Sequence, residues 1–76
     1  MIFTDALAEL RNGNYVTRGA WDRSREYLIF LPEIQYISAV VMIDDMRQIM
    51  EWCPLVADLI ADDWRILSRV ERELNI

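Results

Sequence analysis

The side chains with the clearest potential for binding chemistry surround Trp21. This tryptophan lies in a polar segment, RGAWDRSR, with three arginines and an aspartate, whereas a core tryptophan usually has aliphatic neighbours. An arginine fork binds phosphate in a bidentate manner and stacks on flat rings. Trp21, Arg18 and Arg23 are therefore candidate ligand-binding residues. The alternatives are a packing role for Trp21 and a surface ion pair of Arg18 with Asp22 or Glu26.

A second concentration of aromatic and acidic residues is the segment 52–64, WCPLVADLIADDW. Trp52 and Trp64 are predicted to be structural brackets that lock a short helix onto a sheet, and Trp52 is also a candidate for lining a pocket. Asp63 is expected to accept hydrogen bonds from backbone N–H groups, as aspartate often does locally. Cys53 is expected to be a small buried hydrophobe.

Several classes of chemistry are excluded by residue type. The chain has no histidine and one cysteine, so His-based triads, an intrachain disulfide and a Cys-rich zinc site are all ruled out. The pairs Asp44-Asp45 and Asp62-Asp63 lack the alternating ligand spacing of a calcium loop and have no recognisable nucleophile beside them. We therefore predict no catalytic residue, no metal site and no cofactor; the protein is expected not to be an enzyme.

Length and charge indicate the kind of partner. A chain of 76 residues forms one domain and buries only about 60% of its extended surface. Because 54% of its residues are apolar, a homo-oligomer is expected. The net charge of −5 argues against polymeric nucleic acid. All eight basic residues are arginine, which fits a small phosphorylated ligand but also ordinary surface ion pairing.

No membrane association is expected. The start of the chain shows no signal peptide, and the longest apolar run, residues 37–43, is far shorter than the roughly 20 residues that span a bilayer. A reducing, cytoplasmic setting fits the single cysteine.

The first half of the sequence predicts a helix followed by a β-hairpin. Thr4 is a candidate N-cap for a helix over 5–12, and Gly13 supplies a left-handed stop. Residues 15–18 and 26–31 are β-prone and flank a polar turn.

The second half predicts another strand pair and two short helices. Strands over 36–43 and 48–52 flank a turn at 44–47, with a helix over 45–52 as the competing interpretation. Pro54 suits the start of a short helix whose apolar side contains Leu55, Val56, Leu59 and Ile60. A last strand over 64–67 and a helical tail capped by Ser68 complete an α+β fold: a small antiparallel sheet with an N-terminal helix, a short helix before the last strand and a C-terminal helical tail.

Four blocks in this order resemble a known family. FTDALAELRNG, VTRGAW, EYLI and WCPLVADLIADDW cover much of residues 3–67 and are similar to the small phage and bacterial proteins grouped as the Thoeris anti-defence protein two family. The resemblance implies a binding protein: a sponge that encloses glycocyclic ADP-ribose or a cyclic oligonucleotide and releases it intact. It also implies a homo-oligomer, dimer, tetramer or higher, with pockets between subunits. Residues 1–67 would form the domain, and 68–76 an extension.

The resemblance also implies site residues. Arg18 and Asp58 match an arginine and an aspartate of the family, and Asp58 is expected either to accept from ribose hydroxyls or to hold a backbone turn. Stacking, acceptor and phosphate-binding groups are what a cyclic nucleotide requires. The full set of candidate ligand-binding residues is Trp21, Arg18, Asp58, Trp52, Tyr27 and Arg23; for Tyr27, a core or interface position is the alternative.

Two departures from the family pattern keep a second function open. Ala20 stands where the family usually has glycine, and only residues 32–35 stand in place of a long Pro-rich loop. A pocket wall is therefore in doubt. The short loop and the acidic surface favour the alternative: a protein–protein interaction module that acts as an inhibitor or anti-repressor of a host or phage protein.

Overall fold

A computed structural model describes residues 1–33 and 36–74, so the predicted tail 68–76 and the loop 32–35 lie partly outside the described residues. The fold is α+β, as predicted. A five-stranded antiparallel sheet carries three helices and one 3-10 turn. In chain order the elements are α1 (Phe3–Arg11), β1 (Val16–Arg18), the 3-10 turn (Gly19–Trp21), β2 (Tyr27–Leu31), β3 (Tyr36–Ile43), β4 (Met46–Glu51), α2 (Val56–Ile60), β5 (Trp64–Ile66) and α3 (Arg69–Leu74).

The strands follow the spatial order β4-β3-β2-β1-β5. Both predicted hairpins are confirmed, since β1 pairs with β2 and β3 pairs with β4. The helical interpretation of residues 45–52 is wrong, because β4 pairs with β3 from Met46 to Glu51. The last strand returns beside β1, where Trp64 lies opposite Arg18. This return brings segments more than 40 residues apart in sequence into direct contact.

The turn between β3 and β4 is tighter than predicted. Asp44 and Asp45 both adopt left-handed backbone conformations, with φ of 53° and 62°, and β4 begins at the next residue. Two left-handed residues are the signature of a type I′ hairpin turn, which normally prefers Asn-Gly. The turn therefore spans two residues instead of the predicted four.

Helix α1 begins two residues before the predicted start. Its N-cap position is Ile2, which makes no side-chain capping bond, so the prediction of Thr4 as the cap is wrong; Thr4 lies inside the first turn. The predicted stop is confirmed by Gly13, whose φ is +91°. Ala6 and Leu10 are the buried residues of this helix, and they pack on one face of the sheet.

The sheet has an apolar cluster on each face, because successive side chains of a strand point to opposite sides. The main core lies under α1 and consists of Ala6, Leu10, Val16, Leu28, Ala39 and Trp64. The smaller cluster on the other face consists of Tyr27, Ile29, Val40 and Leu67, with Tyr15 packed against it. The C-terminal helix reaches this second face, since the guanidinium of Arg72 lies 4.0 Å from the ring centre of Tyr15.

The predicted cap of the C-terminal helix is confirmed. Ser68 Oγ accepts from the backbone N–H of Glu71, and the Glu71 carboxylate accepts from the backbone N–H of Ser68, both at 3.1 Å. This reciprocal pair is a capping box. Arg65 on β5 adds an ion pair of 2.7 Å to Glu71, so the same carboxylate caps α3 and fastens it to the sheet.

Acid should loosen this attachment. The hydrogen bond from Arg65, followed by the backbone N–H of Ser68, lowers the pKa of Glu71 from 4.5 to about 2. Between these pH values the unfolded chain binds the proton and the folded chain does not, so the stabilisation is complete above about pH 5 and is lost as pH falls towards 2. We expect Glu71→Gln to lower Tm at pH 7 and to make a much smaller difference at pH 2.5, measured by circular dichroism. Glu33→Gln, at an exposed turn position, is the control; an equal loss of Tm for Glu71→Gln at both pH values would contradict the expectation.

Candidate functional site

A cleft of about 440 Å³ opens between the 3-10 turn, the end of β4 and the start of α2. We call it the tryptophan cleft. Three of the predicted site residues, Trp21, Trp52 and Asp58, line it. Ala39 and Met50, which are paired across β3 and β4, also line it. The cleft is therefore built on the sheet face that carries α1.

Trp64 organises the aromatic walls of the tryptophan cleft. It is 2% exposed, and its ring lies edge-on to Trp21 at 5.2 Å and to Trp52 at 5.9 Å. Phe3 of α1 contacts both Trp52 and Trp64. The Trp64 indole N–H donates to the backbone oxygen of Asp58 at 2.9 Å, which fixes α2. The prediction of a structural bracket for α2 is confirmed for Trp64, whereas Trp52 packs against Phe3 and Trp64.

Arg18 bonds to two carboxylates near Trp21, and neither belongs to Asp22 or Glu26, the partners of the alternative surface ion pair. Its Nη1 donates to Asp58 Oδ1 and its Nε donates to Asp63 Oδ1, each at 2.8 Å. A longer bond of 3.4 Å joins Nη2 to Asp63 Oδ2. The Arg18 side chain is 15% exposed, and its guanidinium lies 5.9 Å from the Trp21 ring centre. Arg18 thus ties the strand before Trp21 to α2 and to the start of β5.

The two aspartates also hold backbone. Asp58 Oδ2 accepts from the N–H of Leu55 at 2.9 Å, and Asp63 Oδ2 accepts from the N–H of Ala20 at 3.0 Å. Asp63 thus accepts from a backbone N–H, as predicted, but this N–H belongs to a residue 43 positions away and not to the nearby chain. Its hydrogen bond with Arg18 is the largest cause that lowers the pKa of Asp63. The backbone N–H of Ala20 belongs to this network.

The tryptophan cleft is rich in acceptors. Glu26, Glu51 and Asp58 line it, and no arginine of the described chain does. Glu26 is half-buried; burial first and the charge of Asp58 second raise its pKa. Within residues 1–33 and 36–74, the Glu26 carboxylate makes no hydrogen bond or ion pair. Its carboxylate, like that of the exposed Glu51, is available for an incoming donor, whereas Asp58 is engaged by Arg18 and Leu55.

A second, smaller cleft of about 270 Å³ shares Trp21 and Glu26 with the tryptophan cleft, and we call it the arginine cleft. Arg25 and Arg65 line it with Trp21, and its lining also contains three carboxylates: Asp22, Glu26 and Glu71. Arg65 is engaged by Glu71 and Asp22, whereas Arg25 forms no ion pair in the described part of the chain. Sequence reasoning missed Arg25. Arg25 could have been identified, because it belongs to the same polar segment as Trp21.

The remaining predicted residues lie elsewhere. Tyr27 is buried on the opposite face of the sheet, where it stacks on Tyr15 at 5.5 Å and accepts a 3.2 Å hydrogen bond from Arg47. Arg23 is exposed in the turn after Trp21. The structure does not bring either residue to the tryptophan cleft. The prediction of a buried Cys53 is wrong; this residue is exposed, because the connection from β4 to α2 runs over the surface.

Helix α2 buries its acidic residue and exposes its apolar residues. Its aspartate, Asp58, is 6% exposed, while Leu55 and the aliphatic residues of the helix face outwards. The exposed fractions are 70% for Leu55, 72% for Val56, 45% for Leu59 and 79% for Ile60. We call these four side chains the α2 apolar surface. It adjoins the tryptophan cleft, since Leu55 belongs to both.

The family model for Tad2-like domains, described as Thoeris anti-defense 2-like, matches residues 1–67. The chain belongs to the Tad2-like family. A comparison with curated proteins finds no match. Membership in the Tad2-like family supports a phage anti-Thoeris role and suggests a small signal molecule as the partner; the family is not a known enzyme.

This Tad2-like chain shows no metal cluster in the parts that the structure describes: no three of its cysteine, aspartate and glutamate residues are grouped to hold an ion. Among the described helices, none has the length and apolar character required to cross a membrane.

Because Arg18 bonds to Asp58 and Asp63, its substitution should reduce the stability of the protein. This effect distinguishes a structural role of Arg18 from direct contact with a ligand. Arg18→Lys keeps the charge of this Tad2-like protein but loses the fork that serves Asp58 and Asp63 together. We expect Tm to fall by about 5–10 °C, equivalent to roughly 1–2 kcal/mol, measured by thermal denaturation. Arg11→Lys, an exposed position on α1, is the control. An unchanged Tm with weaker ligand binding would instead place the Arg18 guanidinium on the ligand.

Proposed function

We propose that this Tad2-like chain binds a cyclic nucleotide-type immune signal in the tryptophan cleft and sequesters it without cleaving it. The observation that carries the proposal is a cleft that combines two indole rings, Trp21 and Trp52, with carboxylate acceptors. Base stacking on an aromatic ring contributes about 1–3 kcal/mol. Glycocyclic ADP-ribose and cyclic oligonucleotides are the ligands proposed, and the host cytoplasm is the proposed site of action.

The two clefts beside Trp21 suit different parts of such a ligand. The acceptor-rich tryptophan cleft suits base amino groups and ribose hydroxyls, whereas the arginine cleft offers Arg25 for phosphate. Trp21 lines both clefts, so one molecule in contact with its ring has access to both. The chain has no histidine, and no activated nucleophile is needed for sequestration.

We also propose that a second copy of the chain covers the α2 apolar surface. Residues 54–61 contain no charge except Asp58, which is directed inwards. In a chain of net charge −5, such a surface is where two copies approach without like-charge repulsion. Because Leu55 lines the tryptophan cleft and is 70% exposed, a copy seated there would also close the cleft towards solvent.

Calorimetric titration tests the binding proposal. The panel contains glycocyclic ADP-ribose isomers and cyclic di- and trinucleotides. We expect at least one to bind and to be recovered intact after the protein is denatured. A folded sample that binds none of them would refute sequestration, and recovery of a cleaved product would identify a hydrolase instead.

The alternative function is a protein–protein module, and the exposed α2 apolar surface is the feature that favours it. Pull-down from infected lysate distinguishes the two. Sequestration predicts a small molecule released by heating, whereas a module predicts a co-purifying polypeptide that Leu59→Glu removes.

A charge placed on the α2 apolar surface should dissociate the oligomer. Leu59→Glu adds a carboxylate to an apolar contact, and desolvating that charge costs several kcal/mol. We expect the wild-type protein to sediment as an oligomer and the variant to shift to the monomer at the same concentration, measured by analytical ultracentrifugation. Thr4→Glu, at an exposed position of α1, adds the same charge as a control. A monomeric wild-type protein would exclude the second copy as the partner of this surface.

A further inference from the structure

Strand β4 forms an open edge of the sheet. In the order β4-β3-β2-β1-β5 it has a single neighbour among the described residues, β3. All six residues of β4, Met46–Glu51, are exposed, and their pairing with β3 runs without a bulge. Proteins usually protect such an edge with proline, lysine or a bulge. Because β4 contains neither proline nor lysine, its edge is accessible to another strand.

Three residues supply the backbone groups of this edge. Trp52, which follows β4, donates its backbone N–H to the backbone oxygen of Ile37 at 2.9 Å. The backbone groups of successive residues in an antiparallel strand point alternately to its two sides, so every second residue before Trp52 also faces β3. The N–H and C=O groups that point away from β3 therefore belong to Arg47, Ile49 and Glu51.

The side chains of these three residues lie on one face of the sheet, because side chains alternate between the faces. Arg47 and Ile49 line a groove of about 360 Å³ on the face opposite α1. Glu51, at the rim of the tryptophan cleft, stands between Met50 and Trp52, which both belong to the α1 face. Its side chain therefore points to the face of Ile49. The edge presents a cation, an aliphatic side chain that is 64% exposed and an anion, in that order.

This order is self-complementary. When two copies of β4 are aligned antiparallel with Ile49 opposite Ile49, each Arg47 lies opposite Glu51 of the other copy. Every outward-facing residue then belongs to a hydrogen-bonded pair, and each such pair exchanges two backbone hydrogen bonds. Opposite charges that face each other across two strands add about 0.2–1 kcal/mol per pair. A shift of one copy by two residues moves Arg47 away from Glu51, so the charges favour this register over its neighbours.

We propose that β4 pairs with β4 of a second copy in this register, so that the two sheets become one continuous antiparallel sheet. The contact is isologous and is distinct from the α2 apolar surface. On the α1 face, the register places Gln48 of the second copy opposite Met50, which lines the tryptophan cleft. The second copy therefore extends one wall of that cleft.

The edge contact is weak on its own. A backbone hydrogen bond contributes about 0.5–1.5 kcal/mol, whereas association costs about 4–15 kcal/mol. The size of the assembly therefore rests on the α2 contact proposed above. In a closed assembly of four copies, two α2 contacts and two edge contacts form together and reinforce each other. Loss of the α2 contact in Leu59→Glu should accordingly separate the edges as well.

Charge reversal tests the register by analytical ultracentrifugation. In Glu51→Arg and in Arg47→Glu, like charges face each other at both ends of the edge contact, so each variant alone should sediment with about half the wild-type mass. An equimolar mixture of the two variants again pairs arginine with glutamate at both ends and should recover the wild-type mass. Glu33→Arg makes the same charge change as Glu51→Arg at an exposed turn position and should leave the mass unchanged.

Amide hydrogen exchange in Glu51→Arg is a second readout, which does not depend on the folding of Arg47→Glu, a variant that also loses the hydrogen bond to Tyr27. The N–H of Ile49 points away from β3, so it is protected only when another strand covers the edge. We expect it to exchange at least about tenfold more slowly in the wild-type protein than in Glu51→Arg.

The edge contact is overturned if Glu51→Arg keeps the wild-type mass, if a mixture of the two folded variants does not recover that mass, or if the Ile49 amide exchanges equally fast in the wild-type protein and Glu51→Arg. Each of these results leaves sequestration of the ligand intact, because the measurements contain no ligand. A Leu59→Glu variant with the wild-type mass would instead refute the α2 contact.

Discussion

Trp21→Ala should weaken binding of the cyclic nucleotide by about 30-fold, because one base stacked on an aromatic ring is worth about 2 kcal/mol. Trp21 lines both clefts, so the substitution removes a wall common to them. Trp21→Phe retains an aromatic face and should lose only a few-fold. Both affinities are measured by calorimetric titration with the tightest ligand of the panel.

The matched control is Tyr36→Ala, which removes a large ring that is 41% exposed at the start of β3. Its affinity should equal that of the wild-type protein. Because Trp21 also packs against Trp64, the binding measurement is made on protein whose folded state is verified by circular dichroism. If Trp21→Ala and Tyr36→Ala bind equally well, the ligand does not stack on Trp21.

Trp64→Ala should reduce the free energy of unfolding by about 4 kcal/mol, as expected for deletion of a buried aromatic side chain. Trp64 contacts the rings of Phe3, Trp21 and Trp52, and its N–H holds the backbone of Asp58. For a small domain with total stability near the lower end of about 5–15 kcal/mol, this loss leaves about 1 kcal/mol, so that roughly one molecule in six is unfolded. Urea denaturation at 15 °C measures it.

Ile60→Ala is the comparison for this prediction, because the Ile60 side chain is 79% exposed in the single chain. At low protein concentration, where copies dissociate, it should change the stability by less than about 0.5 kcal/mol. A loss below about 1 kcal/mol for Trp64→Ala would show that the aromatic cluster does not support the fold.

Local sequence signals predicted most of the fold. Gly13 ended α1 at the predicted place because a left-handed residue is available to glycine at little cost, and Ser68 capped α3 through Glu71. The β3 strand has the predicted limits. The β3–β4 turn was too long in the prediction because Asp44 and Asp45 adopt a left-handed turn that their residue types do not favour.

The site was predictable only in part, because it depends on long-range pairing. Trp21, Trp52 and Asp58 are each marked by unusual neighbours, and the structure places all three in one cleft. The partners of Arg18 are 40 and 45 residues away, and only the return of β5 beside β1 brings them close. Tyr27 faces the other side of the sheet because it alternates with Leu28, which packs under α1. The face of the sheet to which a strand residue points depends on strand register, and the sequence pattern alone did not determine this register.

The left-handed Asp44-Asp45 turn is a position at which substitution should increase the stability of the protein. Replacing this dipeptide by Asn-Gly, which adopts the conformation at lower cost, should add on the order of 1 kcal/mol at residues that do not line either cleft. In this stabilised variant, destabilising substitutions in the aromatic cluster would still give folded protein. The contribution of each aromatic side chain to ligand binding could then be measured.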